Sequence, residues 1–520
     1  MKDWLPRILV LLGLAVVLGV PFLLRPASAP SERQVDRADT LIILTPHNEQ
    51  TRFEFERAFN QWRREQKLAP VHFDWRASLG TSDLRRKILS ELRKAIETSG
   101  PDAKLSYDLM FGGGDYNHDL LARPITGQYK GQALALSASV PANVPAQVFD
   151  AAFPEPTIGG EPLYYKDRKW IGVAMSSFGI VYNRDVLTML NLDEPLNWTD
   201  LADPRYDGWV ALADPAHSGS ISTTYNLILQ RMGWTEGWAT LRRIYANARY
   251  FSARASQVPV DVSNGQAAAG MCIDFYGRFQ AGAIGGNRVG YVAPVKQVDG
   301  QWVAMTAVTA DPVSVMRGAP HRELADQFVA WLLSRPAQHL WQARRGSEFG
   351  PQKYELRRLP ARRDLYNDRD TAQWVDHAER PFDIAQPLPP GTQNYFSYVA
   401  PVTHALAIDI RDDLRAAWRA IHQAPADHPH LSAMKKLFDA MPPPLDLDRL
   451  WLDSQLRRQW RSIQADTSHP RHAEVLAILN DHSASLKKRW SDEKQKMQDR
   501  LEWTRFFRSN YRKVVELGTP

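Results

Sequence analysis

Five short polar segments in this 520-residue chain have the residue types to hold an anion. They are Thr45-Pro46-His47-Asn48-Glu49, Gly80-Thr81-Ser82, Gly112-Gly113-Gly114-Asp115, Ser176-Ser177 and Ser218-Gly219-Ser220. Backbone N–H groups at a helix start point outward without an intrahelical partner, and the helix dipole adds about half a positive charge there. Glycine lets an anion approach the backbone, and serine or threonine hydroxyls add donors. Taken singly, each segment is also an ordinary cap or turn. Their force lies in recurring at strand-to-helix junctions, where open α/β sheets bind ligands. Tyr225 and Tyr276 are aromatic candidates for the walls of such a cleft, and core packing is the competing role for each.

Catalytic and metal motifs do not stand beside them. The chain has no Gly-rich phosphate loop ending in Lys-Ser/Thr, no His-Glu-x-x-His, no Gly-x-Ser-x-Gly elbow and no Gly-x-Gly-x-x-Gly. No nucleophile is spaced with a base, so the expectation is a binder and not an enzyme, with no cofactor and no metal. Asn117-His118-Asp119 reads as a loop with His118 at the surface. A single cysteine, Cys272, excludes an intrachain disulfide framework and Cys-rich metal sites. With 64 Lys+Arg against 58 Asp+Glu, the net charge of +6 is too dilute over this length to argue for nucleic acid. Seventeen tryptophans suit packed interfaces or ligand-facing clefts.

The elements that must position these segments alternate. An apolar run at 41–44 is followed by helically spaced Phe55, Phe59 and Trp62; Val71, Phe73 and Trp75 alternate as a strand. Leu84, Ile88, Leu92 and Ile96 mark a second helix capped by Thr81 or Ser82, and 107–111 reads as a third strand. Strands alternating with helices predict βαβ units and a mainly parallel sheet. A second unit begins with the β-rich run 170–182, where Gly172 and Gly179 could bend the chain, and continues with strands at 209–213, 269–273 and 289–292. Helical segments at 322–333 and 336–345 close it. Beyond about 350 the composition turns helical, punctuated by proline runs, and Leu486, Trp490, Met497 and Leu501 predict one apolar stripe on a basic helix.

At the start, Lys2 and Arg7 precede an uncharged apolar run at 8–24 that Arg25 ends. This is the export pattern. Ala27-Ser28-Ala29 has the form of a cleavage site, although Pro30 directly after it hinders cutting. Seventeen residues reach about 26 Å as a helix, enough for a thin or tilted span. Residues 1–29 are therefore expected to be a signal peptide or a retained inner-membrane anchor, with the folded body in the periplasm.

The blocks LTPHNEQTRFEFERAF, DWRASLGTSDLRRKI, SYDLMFGGGDY, SSFGIVYNRDVL, WTDLADPRYDGWVALADPAHSGS and DPVSVMRGAPHRELADQFVAWLLS occur in order through 40–350. This part of the chain resembles bacterial extracellular solute-binding proteins of ABC importers, in the branch of ferric-iron and sugar-phosphate binders. The resemblance implies an α/β fold of the type II periplasmic-binding kind: two lobes joined by crossover strands, closing on a solute by hinge motion and passing it to an inner-membrane permease. It implies a first lobe of about 40–150 with 305–345 and a second of about 151–304; the helical stretch over 351–520, read from its composition, is expected to be a C-terminal extension. Ser218, Gly219 and Ser220 match the anion-holding turn of the second lobe; His47 and Asn48 match a first-lobe loop, and Thr81 and Ser82 a first-lobe helix start. Asp274 and Tyr276 fall where iron binders present two adjacent tyrosines, but Phe275 precedes Tyr276 here. One tyrosine with one aspartate is a thin set for hard Fe(III), so the implied ligand is a phosphorylated or carboxylated organic anion ahead of ferric iron. The extension and the possible anchor leave a second expectation open, a ligand sensor or scaffold that reuses the fold.

Overall fold

The apolar run of strand β1 (Thr40–Leu44) is buried because neighbours cover it on both sides. It pairs in parallel with β2 (His72–Arg76) and β3 (Leu109–Phe111). The connections are helix α1 (Glu49–Glu65) and helix α2 (Thr81–Ser99), whose apolar faces carry Phe55 and Phe59, and Leu84, Ile88, Leu92 and Ile96. Helix α3 (Asp115–Ala122) follows β3. The computed structural model describes residues 40–77 and 79–519, so the expected signal peptide or anchor at 1–29 lies outside the described residues. Among the described residues no helix is long and apolar enough to cross a membrane.

The run at 170–182 is one extended passage between two sheets. Its first half, β4 (Ile171–Ser176), joins the first sheet; its second half, β5 (Phe178–Asn183), joins the second. The break falls at Ser177, not at Gly172 or Gly179. The second sheet also holds β6 (Val210–Ala213), β7 (Ala248–Ser252), β8 (Ala269–Ile273) and β9 (Val289–Val292), in the order β7-β6-β8-β5-β9. Helix α4 (Gly219–Met232) follows β6 and α5 (Asp274–Ile284) follows β8. The chain returns through β10 (Thr309–Met316), which runs antiparallel to both β3 and β4. The short strand β11 (Leu359–Pro360) completes the order β11-β4-β10-β3-β1-β2. These are two α/β lobes joined by crossover strands, the type II periplasmic-binding arrangement. The sheets are mixed and not mainly parallel, because strands that cross between the lobes enter each sheet against its parallel centre.

The lobe limits differ from those expected at two places. Residues 171–176 belong to the first sheet, and so does 359–360, beyond the expected end at 350. The buried carboxylate of Glu54 in α1 explains the second case: it accepts hydrogen bonds from the backbone N–H groups of Gln352, Lys353 and Tyr354 at 2.9, 2.6 and 2.9 Å. Helix α6 (Arg322–Leu332) covers the same lobe, where Phe55, Phe59, Phe111 and Phe328 form an aromatic core with Trp331 and Trp341.

The C-terminal region is helical, with α7 (Phe396–Leu406), α8 (Arg411–Gln423), α9 (His472–Arg489) and α10 (Glu493–Gly518) among its elements. Its buried residues form one continuous cluster with the second lobe. Trp234 Nε1 donates to Leu445 O at 2.9 Å and Tyr511 Oη to Leu406 O at 3.0 Å. The apolar stripe expected along 486–501 is broken between α9 and α10. Leu486 and Trp490 are buried, whereas Met497 and Leu501 are exposed; α10 packs instead through Trp503, Phe507, Tyr511 and Val514. Six tryptophans, including Trp341 and Trp451, are among the largest fully buried side chains.

Candidate functional site

The loop after β1 is pinned before it enters α1. Thr45 Oγ1 donates to Phe111 O at 2.7 Å and accepts from His47 N at 3.0 Å. Asn48 caps α1, its Oδ1 accepting from Thr51 N at 3.0 Å. At α2 the cap is Gly80, with no side-chain bond, not Thr81 or Ser82. The reason lies in the other lobe: a Cβ on Gly80 would stand 2.4 Å from His217 O. In the glycine turn, Gly113 and Gly114 adopt positive φ and donate their N–H groups to Asp311 Oδ1 at 2.7 and 3.1 Å. Ser218 caps α4, its Oγ accepting from Ile221 N at 3.4 Å and lying 3.1 Å from Ser220 Oγ. A Cβ on Gly219 would fall 2.9 Å from Asn117 Nδ2 and 3.3 Å from Thr81 Cβ, both in the first lobe. The lobes are therefore in contact here, and residues without a side chain permit it.

Between them lies a cavity of about 370 Å³. Of the residues singled out from the sequence, His47, Asn48, Thr81, Gly113, Gly114, Ser176, Ser218, Gly219, Ser220 and Tyr276 line it. Ser82, Ser177 and Asp274 are not among its lining residues. Ser177 donates to Asp274 Oδ2 through both N (3.0 Å) and Oγ (3.3 Å), so the two fasten the crossover to the start of α5. Asp274 is fully buried, and burial raises its carboxyl pKa although Arg278 opposes this. Tyr225 is core: its hydroxyl donates to Ala213 O at 3.2 Å. His118 is not a surface loop residue. It sits in α3, fully buried, between Ser314 Oγ (2.7 Å) and Gly112 O (3.1 Å), where it braces the glycine turn.

Sequence reasoning missed the charged floor of the cavity. Arg358, 2% exposed, places Nη1 2.6 Å from Asp311 Oδ2 and donates from Nη2 to Ser176 Oγ at 2.9 Å. Its guanidinium lies over the Phe275 ring, 4.2 Å from the centroid. Burial alone would raise the Asp311 carboxyl, but Arg358, His47 and the two glycine N–H groups hold it below the usual range. Burial pushes His47 down to about 3, with Asp311 opposing and Arg358 reinforcing, so its ring is neutral at pH 7. Arg358 and Asp311 cancel. Arg52 and Arg254 also line the cavity, and among the described residues neither has a carboxylate within ion-pairing distance. The surplus is positive. Phe178, Phe275 and Tyr276 add aromatic surface. Among the described residues, no group of three or more His, Cys, Asp or Glu is placed to hold a metal ion.

Residues 148–376 match the family model described as bacterial extracellular solute-binding protein. The phosphoglycerate transport regulatory protein PgtC of Salmonella typhimurium is 28% identical over 262 residues, covering 49% of this chain and 57% of that protein. An uncharacterized protein of Haemophilus influenzae is 26% identical over 181 residues, 35% of this chain and 49% of that one. The chain thus spans about half the length of the curated relatives it matches. Among solved structures, the periplasmic binding protein AfuA of Actinobacillus pleuropneumoniae with fructose-6-phosphate bound aligns over 73% of this chain and 97% of that one, at 15% identity and a TM-score of 0.49. Iron-bound HitA of Pseudomonas aeruginosa aligns over 68% and 93%, at 17% identity and a TM-score of 0.46. The family match covers the crossover strand, the Ser218 turn, α5, β10 and Arg358, and stops before the helices that join the second-lobe core.

Proposed function

We propose that this protein is a non-enzymatic periplasmic receptor for a small anionic solute, a phosphorylated or carboxylated organic anion, which it delivers to an ABC-type importer. The observation that carries the reading is the positive surplus of the cavity between the lobes, where Arg52 and Arg254 join the starts of α1, α2 and α4. Helix starts and guanidinium groups both favour anions over neutral solutes. The aromatic surface of Phe275 and Tyr276 suits the carbon body of an organic anion. The name of the PgtC relative, which concerns phosphoglycerate transport, agrees with this class of ligand.

A second reading is a membrane-anchored sensor or scaffold. It is favoured by the helical extension, which shares one core with the second lobe and so moves with it, and by the word regulatory in that relative's name. A thermal-shift screen against sugar phosphates, phosphonates, polycarboxylates and ferric citrate tests the receptor reading. A ligand at one hundred times its Kd adds about 2.7 kcal/mol to the fold that binds it. A shift confined to one anion class supports a receptor; no shift with any class rejects solute binding in the cleft and leaves the scaffold.

A further inference from the structure

A second hollow, about 540 Å³, adjoins the cleft. Thr81 faces the cleft while Ser82 faces the hollow, and His217 lines both. Its walls come from three units: α2 and α3 of the first lobe, the 215–222 segment of the second, and α7 and α10 of the extension. The Tyr116 ring of α3 stacks on Phe396 of α7, centroids 3.7 Å apart at 21°. This stack joins the first lobe to the extension.

The charges facing the hollow do not cancel. Arg86, Arg500 and His404 have their own carboxylates in Asp83, Asp409 and Asp214. Arg85 has none among the described residues: its Nη1 donates to Asn117 Oδ1 at 3.0 Å, and its guanidinium lies 5.8 Å from the Tyr116 ring centroid. Lys496 faces Glu493 at 3.6 Å, but that glutamate is 85% exposed and well screened. A neutral donor completes the set. Ser397 Oγ is buried without a hydrogen-bond partner among the described residues, on the first turn of α7, whose N-cap Tyr395 supplies no side-chain bond. Phe396 and the half-exposed Met497 give the same hollow an apolar wall.

We propose that this hollow is a second ligand site, distinct from the cleft, which takes a small organic anion with an apolar body. Arg85, Lys496 and Ser397 receive the anionic group, and Phe396 and Met497 cover the body. Because the extension is fused to the second lobe, opening the lobes pulls α2 and Tyr116 away from the remaining walls. An anion held here therefore favours the closed form, and through it tightens whatever the cleft holds.

The site stands independently of the cleft reading, and the experiment keeps them apart. Isothermal titration with phenyl phosphate is run on the full chain carrying Arg52→Ala, Ser218→Ala, Ser220→Ala and Arg254→Ala, which remove both unpaired guanidinium groups and the serine hydroxyls of the cleft. One saturable site is expected in that background. It weakens at least tenfold on adding Lys496→Glu, a change on a partly exposed helix face that leaves the fold intact, and at least tenfold on adding Arg85→Gln. Inorganic phosphate, which lacks the apolar body, binds at least tenfold more weakly than phenyl phosphate. No saturable uptake of phenyl phosphate, or uptake indifferent to Lys496→Glu, overturns the proposal.

Discussion

At the residue scale, the proposed receptor reading sets the anion against Ser218 and Ser220, which line the cleft, and the double change to alanine should weaken binding. A hydrogen bond to a charged group contributes about 1.5–3 kcal/mol, so Kd measured by titration should rise by one to two orders of magnitude per lost bond. Gly219→Ala tests closure instead of contact. The added Cβ meets Asn117 Nδ2 at 2.9 Å and Thr81 Cβ at 3.3 Å, so affinity should fall without any ligand-facing donor being removed. Arg358→Ala is a stability prediction. It leaves Asp311 buried with its cation gone, and breaking a buried pair on one side costs about 3–5 kcal/mol. Urea unfolding should show that loss, and a change below 1 kcal/mol would mean Arg358 does not neutralise Asp311. The junction serines and glycines were legible because turn and cap chemistry is local. Arg358 was not: its partner lies 47 positions away, and nothing in the spacing of either residue marks the pair.

At the scale of elements, the turn from β6 into α4 is held by the C-terminal extension. His404 in α7 bonds Asp214 at 3.0 Å through Nε2, and Asp214 O accepts from Ser218 N at 3.1 Å. Burial alone would lower the imidazole, but Asp214 and Asp409 outweigh it and push His404 up to about 9. The stabilisation is therefore fully present below the ordinary histidine value of 6.5 and is lost as pH rises through about 9. Asp214 behaves oppositely. Its carboxyl is held low by His404 against burial, so its share is present above the ordinary aspartate value and lost as pH falls through the depressed one. The wild-type melting temperature should decline between pH 6.5 and 9, and His404→Gln should flatten that slope. Equal slopes in both proteins would remove the ion pair as its cause. Most strand and helix positions in the lobes followed from apolar period, with ends within a few residues, but the helix expected over 336–345 stops at His339. The stripe in the last helices did not, because a three-residue break between α9 and α10 resets the face that packs.

For the whole molecule, the extension behaves as part of the second lobe and not as an appendage. Deleting 395–519 would uncover the face that Tyr398, Val402, Leu406 and Trp418 now bury. The truncated chain should aggregate or bind a hydrophobic dye, measurable by light scattering and fluorescence; a soluble, two-state truncated form would refute a shared core. The sequence by itself determined the alternation of strands and helices, the polar junctions between them and the likeness to solute-binding proteins. Those features are local, set by apolar period, capping residues and short blocks in order. Tertiary structure alone decided which junctions face the cavity, that Asp274 and Ser177 spend their hydrogen bonds on each other, and that Arg358 returns from beyond the expected boundary to meet Asp311. It also decided that the last helices complete the second lobe. Each of those outcomes depends on strands that cross between sheets and on charges that must find a partner once buried, and the residues that meet in this way lie far apart along the chain.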